Sequence, residues 1–210
     1  MKLQVAIDRV SLEEATRLVT QLDGVVDVIE MGTSLVKDYG IVGMKELRKA
    51  ATKSELLIDI KTIDEGEYEF KQGFTQGADI LTVMGASSIE TIRVCYQTSQ
   101  LFGKQMMIDL LEVSNEKIEK LLEFEEAIFC LHHSVDKLGK WQVVDSVLEF
   151  EKKFPSLTHT AIAGGITLNN LEELKQKTKI EQVVVGSNII KAENIVAEAK
   201  KFMERKTNDL

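Results

Sequence analysis

Short apolar runs rich in β-branched residues alternate along the chain with longer segments whose apolar positions recur at helical spacing, the pattern of successive βαβ units. Eight runs read as strands: Leu3–Ile7, Val26–Ile29, Leu56–Ile60, Ile80–Met84, Gln105–Leu110, Ala127–Leu131, Thr160–Ala163 and Gln182–Val185. Local punctuation agrees with the alternation. Ser11-Leu12-Glu13-Glu14 and Ser87-Ser88-Ile89-Glu90 fit a capping box, in which a hydroxyl and a later carboxylate satisfy each other's orphan amides. Gly103 suits a helix C-terminus, and Pro155, the sole proline, stops the helix predicted over Gln142–Phe154.

Nearly continuous apolar strands, each followed by a helix, belong to a parallel sheet covered on both faces, and eight of them favour closure. The expected fold is therefore α/β, a (β/α)8 TIM barrel, as a single domain over residues 1–210. A doubly wound open sheet is the competing architecture, because alternation alone does not reveal closure. The polar residues bear on that choice. Asp8, Glu30, Asp59, Asp109 and His132 fall at or just past the C-terminal ends of their strands. A barrel gathers those ends at one mouth, where such folds place their chemistry, whereas an open sheet spreads them along an edge.

Composition narrows the function classes. With 44% apolar and 29% charged residues, the chain is neither disordered nor membrane-spanning in character, and no apolar run nears the roughly 20 residues a spanning helix needs. Met1-Lys2-Leu3-Gln4-Val5 leads into a strand rather than a signal peptide, so a cytoplasmic location is expected. A net charge of −8 and a pI near 5.1 argue against nucleic acid as a partner, since phosphate-backbone affinity comes from clustered Lys and Arg. Any phosphate bound here is small and locally cradled. Cys95 and Cys130 lie in apolar runs and read as buried free thiols.

The densest chemistry lies in Asp59-Ile60-Lys61-Thr62-Ile63-Asp64. Asp59 and Lys61 are two apart and point the same way from a strand end, and Asp64 follows in the loop. Two carboxylates bracketing an ammonium could keep Lys61 protonated and hold a metal ion. Glu30 ends its strand in the same manner and is a candidate second oxygen ligand for Mg2+. Asp8 and Asp109 are weaker candidates, each able instead to cap the following helix. Of the pair His132-His133, one imidazole should face the mouth and the other turn away; His132 is the candidate general acid/base. Three histidines, with no HExxH and no paired cysteine spacing, argue against zinc. Gly164-Gly165 after the seventh strand and Gly186-Ser187 after the eighth sit where barrels commonly hold a phosphate on backbone amides.

Taken together, Leu3-Gln4-Val5-Ala6-Ile7-Asp8, Val28-Ile29-Glu30-Met31-Gly32-Thr33, the Asp-x-Lys-x-x-Asp of Asp59, Lys61 and Asp64, Gly77-Ala78-Asp79 and the two glycine sites resemble the orotidine 5′-monophosphate decarboxylase superfamily from end to end. The resemblance is to its branch of 3-hexulose-6-phosphate synthases and 3-keto-L-gulonate-6-phosphate decarboxylases. It implies a carbon–carbon lyase with Mg2+ held by Glu30 and Asp59. It further implies that Lys61 stabilises a cis-enediolate and that Asp64 reaches the neighbouring site of a homodimer. In the synthase branch, His132 or a nearby base takes a proton from D-ribulose 5-phosphate, and the carbanion adds to formaldehyde. In the decarboxylase branch, loss of CO2 gives the enediolate, which is protonated to L-xylulose 5-phosphate.

Departures from the decarboxylase pattern favour the synthase. Decarboxylases resemble His-x-x-Arg-Asp where this chain has His132-His133-Ser134-Val135-Asp136, and they carry arginine where Ser187 stands. Asp109 leans the same way. The following Lys137-Leu138-Gly139-Lys140 is shorter than the pattern common to both branches, in a loop that borders the substrate. A phosphosugar-binding barrel without turnover is the third reading, and it predicts ligand binding that survives loss of Lys61.

Overall fold

The computed structural model describes residues 1–133 and 142–207. Eight parallel strands follow one another around a closed barrel: β1 (Lys2–Ile7), β2 (Val28–Met31), β3 (Glu55–Thr62), β4 (Ile80–Met84), β5 (Gln105–Asp109), β6 (Ile128–His132), β7 (Thr160–Ala163) and β8 (Gln182–Val185). Pairing of Lys2–Val5 with Gln182–Val185 closes the ring, which excludes the open sheet. The outer layer is α1 (Leu12–Leu22), α2 (Thr33–Ala50), α3 (Gly66–Thr75), α4 (Ile89–Phe102), α5 (Asn115–Leu121), α6 (Val143–Lys153) and α7 (Leu168–Lys177). After β8 come a short α8 (Ser187–Ile190) and the closing α9 (Ile195–Thr207). No helix among the described residues is long and apolar enough to cross a membrane.

The main core fills the space between barrel and helices. Outward-facing strand residues such as Leu3, Ile29, Leu56 and Ile108 meet Phe70 and Phe202 from the helices and Phe124 from the segment after α5, all buried. Each such side chain contributes about 1.5–3 kcal/mol through removal of apolar surface from water. Asp79, in the Gly77-Ala78-Asp79 motif, sits at the opposite end of the barrel from the mouth. It accepts from the Leu56 amide and pairs with Arg48 at 2.8 Å and Lys104 at 2.5 Å, so its work is structural.

Several local expectations shift, among them β5, which ends at Asp109, and β6, which runs one residue later to His132. β2 starts at Val28, not Val26, because Asp23 and Gly24, at φ +75°, turn the chain immediately before it and leave Val26 only a single bridge. β3 runs on through Lys61 to Thr62, with a register irregularity against β4. Ser88 rather than Ser87 caps α4, its hydroxyl accepting from the Thr91 amide, while Ser87 turns to the Ile63 carbonyl. Ser11 and Gly103 cap α1 and α4, and Pro155 lies just past α6. The expectations for Ser134-Val135-Asp136 and Lys137–Lys140 fall outside the described residues.

Candidate active site

The site grows out of strand periodicity. Inside the barrel, Val28, Leu57, Ile80, Met107, Ile128, Cys130 and Ala161 form a small apolar cluster. Side chains two apart on a strand share a face, so the next inward position toward each C-terminus belongs to the mouth. There the row turns polar: Glu30 follows Val28, Asp59 follows Leu57, Thr82 follows Ile80, Asp109 follows Met107 and His132 follows Cys130. These residues line a cavity of about 1190 Å³.

Lys61 is the centre of the arrangement. Its Nζ lies 2.6 Å from Asp109 Oδ2 and 3.2 Å from Asp59 Oδ2. Burial alone would pull the ammonium down, but the charges of Asp59 and Asp109 outweigh it and hold Lys61 above its ordinary range. The second carboxylate bracketing Lys61 is thus Asp109, not Asp64. Asp109 also meets His132 Nδ1 at 2.8 Å and accepts from the Leu111 amide. Burial raises the Asp109 carboxyl, yet the His132 hydrogen bond and the Lys61 charge prevail and leave it at about 2. An ionised carboxylate only accepts, so Nδ1 of His132 is the donor in their hydrogen bond.

Asp59 accepts from Thr33 Oγ1 at 2.6 Å and Thr82 Oγ1 at 2.7 Å. Glu30 is buried and accepts from Gln4 Nε2 at 2.5 Å; Gln4 in turn accepts from Gln182, so a polar chain crosses β8, β1 and β2. Burial, then the charge of Asp59, pushes the Glu30 carboxyl up to about 8. Gln4, Thr33 and Thr82 were not singled out in the sequence. The available signal was a lone polar residue on the inward face of an apolar strand, as in Leu3-Gln4-Val5 and Leu81-Thr82-Val83.

Asp8 lines the same cavity and accepts from the Ser34 hydroxyl at 2.7 Å and, at 3.4 Å, from its amide, thereby serving the first turn of α2. His133 borders the cavity as well, rather than turning away. Gly164 and Gly165, at φ +107° and +67°, lie across the mouth with Gly186 and Ser187. Arg9, Lys37 and Lys191 also line the cavity and bring positive charge to it. Asp64 is not brought into this mouth. It is exposed, accepts from the Glu65 amide, and borders a separate shallow depression with Glu67, Tyr68 and Glu90.

Residues 1–202 match the model of the Orotidine 5'-phosphate decarboxylase / HUMPS family. The chain belongs to that family. A relative from Bacillus subtilis (strain 168) named 3-hexulose-6-phosphate synthase is 32% identical over 208 residues, covering 97% of this chain and 98% of its own length. The solved structure of 3-hexulose-6-phosphate synthase from Salmonella typhimurium superposes with a TM-score of 0.90 at 28% identity, over 98% of each chain. The 3-keto-L-gulonate-6-phosphate decarboxylase of Vibrio cholerae shares the fold, with a TM-score of 0.85 at 23% identity over 98% of this chain and 96% of its own. Members of both named groups are carbon–carbon lyases, and the chain is that of an enzyme.

Proposed function

We propose that this chain is a 3-hexulose-6-phosphate synthase, joining formaldehyde to D-ribulose 5-phosphate. The observation that carries the reading is the sequence of contacts Lys61–Asp109–His132: a permanently charged donor and an oriented imidazole share one ionised carboxylate at the mouth. His132 Nε2 takes the proton from C1 of the ketose. Lys61 has two of its three donors on Asp59 and Asp109 and turns the remaining one to the enediolate oxygen, stabilising charge as it develops. C1 then attacks the formaldehyde carbon, and the imidazolium returns its proton to the new alkoxide. A base beside a cation suits proton abstraction, whereas decarboxylation generates its carbanion without a base.

The donor set fits Mg2+. Glu30 and Asp59 offer hard oxygens, and the crowding of buried carboxylates that raises Glu30 is the condition a divalent cation relieves. Among the described residues no group of three or more acidic, His or Cys side chains is gathered that could hold a metal ion, so the proposed ligands are these two carboxylates alone. Glu30 and Asp59 would hold it; when bound it supplies Lewis-acid stabilisation of the enediolate. The phosphate is assigned to the amides of Gly164, Gly165 and Gly186 and the Ser187 hydroxyl. We further assign a homodimer in which Asp64 serves the neighbouring site, and a cytoplasmic location.

The test is formaldehyde consumption by the purified protein with D-ribulose 5-phosphate and Mg2+, beside a chelated control and Lys61→Ala. Metal-dependent consumption that vanishes in the variant is expected. No consumption by folded protein would overturn the reading and make CO2 release from 3-keto-L-gulonate 6-phosphate the next assay.

A further inference from the structure

Between Ile58 and Thr62 β3 advances four positions, while its neighbour β4 advances only two, from Leu81 to Val83. Asp59, Ile60 and Lys61 therefore stand against a single residue, Thr82. An insertion of this kind breaks the ladder and leaves backbone groups in need of other partners. Lys61 lies inside it at φ +49°, a left-handed conformation that a lysine adopts only where its surroundings impose it.

The Thr82 side chain answers both needs. Its Oγ1 accepts from the Lys61 amide at 2.9 Å and donates to Asp59 Oδ1 at 2.7 Å. A hydroxyl has one proton, and a carboxylate only accepts, so the direction of both bonds is settled. Thr82 is itself buried, at 3% exposure, and is fixed on β4 opposite Met107 of β5. We propose that Thr82 is the positioning residue of this site: its hydroxyl replaces the ladder bond lost at the insertion and ties the Lys61 backbone to the Asp59 carboxylate.

Through that tie one β4 side chain sets the relative placement of the two β3 groups, which meet at 3.2 Å. The inference deepens the proposed activity and rests on it only for the turnover readout. Thr82→Val keeps the shape and removes the hydroxyl; Thr82→Ser keeps the hydroxyl and removes the methyl.

Crystal structures of both variants, with steady-state kinetics in whichever of the two lyase reactions the wild type catalyses, test it. Thr82→Val is expected to lose positive φ at Lys61 or to rotate Asp59. Its kcat should fall about a hundredfold, as for a misplacement near 1 Å, with KM changed far less. Thr82→Ser is expected to restore the conformation and kcat to within about threefold. An unaltered Lys61 and Asp59 in Thr82→Val, or equal losses in the two variants, would overturn the proposal. If the wild type catalyses neither reaction, the proposed function fails, and the crystal structures still decide the role of Thr82.

Discussion

Lys61 combines a strained backbone with a charge held between two carboxylates, and substitution separates the two properties. Lys61→Gly and Lys61→Ala remove the same ammonium, but only glycine takes φ +49° without steric cost. Both variants are expected to lose turnover, while in urea unfolding Lys61→Gly is more stable than Lys61→Ala by about 1 kcal/mol. Equal midpoints would show that the surroundings impose no strain. Gly32 makes a different demand. Its φ of −64° suits any residue, yet a Cβ there would lie 2.3 Å from the Asp8 carboxyl atoms. Gly32→Ala is therefore expected to displace Asp8 from Ser34 and lower kcat/KM about tenfold, with Tm shifted by only a few degrees. A variant with wild-type kinetics would remove Asp8 from the working part of the mouth.

Elements are held to the barrel by loops with their own chemistry, and the segment entering β3 shows how pH reaches it. Asp23 accepts from the amides of Thr52, Lys53 and Ser54, and from the Thr52 hydroxyl. Burial raises its carboxyl, but the Ser54, Lys53 and Thr52 donors together outweigh it and lower the group from the ordinary 3.8 to about 2. A group whose folded pKa is depressed stabilises above its unfolded value and loses that contribution as pH falls through the folded one. Asp23→Ala should therefore cost about 1–2 kcal/mol at pH 7, and the gap to wild type should close between about pH 4 and pH 2. Urea unfolding across that range measures it, and a gap independent of pH would show that the carboxylate charge is not what holds the loop. The strands themselves were legible because their β-branched runs are bounded by caps and turns. The β3 insertion was not, because an apolar run shows where a strand lies but not which β4 residue faces it. The same limit hid Thr82, whose importance depends on register, and gave Asp64 a place beside Lys61 that Asp109 fills.

At the scale of the whole molecule, closure gathers the strand ends into one cavity, and the polar residues at five of those ends, Asp8, Glu30, Asp59, Asp109 and His132, made it readable from the sequence. What a single barrel leaves outside that cavity is Asp64, exposed just past the end of the strand that carries Lys61. On the proposed dimer each mouth draws Asp64 from its partner, and this has a consequence no single-chain site shares. An Asp64→Ala subunit keeps Lys61 but spoils its neighbour's mouth; a Lys61→Ala subunit has a dead mouth but lends an intact Asp64. Two inactive variants, unfolded together and refolded, should form hybrids with one complete site each. Random pairing makes about half the dimers hybrid with one of two sites working, so about a quarter of wild-type activity returns. Mixing without unfolding should restore less, to the extent that subunits exchange slowly. Formaldehyde consumption by the refolded mixture reads the result. Full inactivity, with each variant refolded alone shown to be dimeric, would place Asp64 in the service of its own chain.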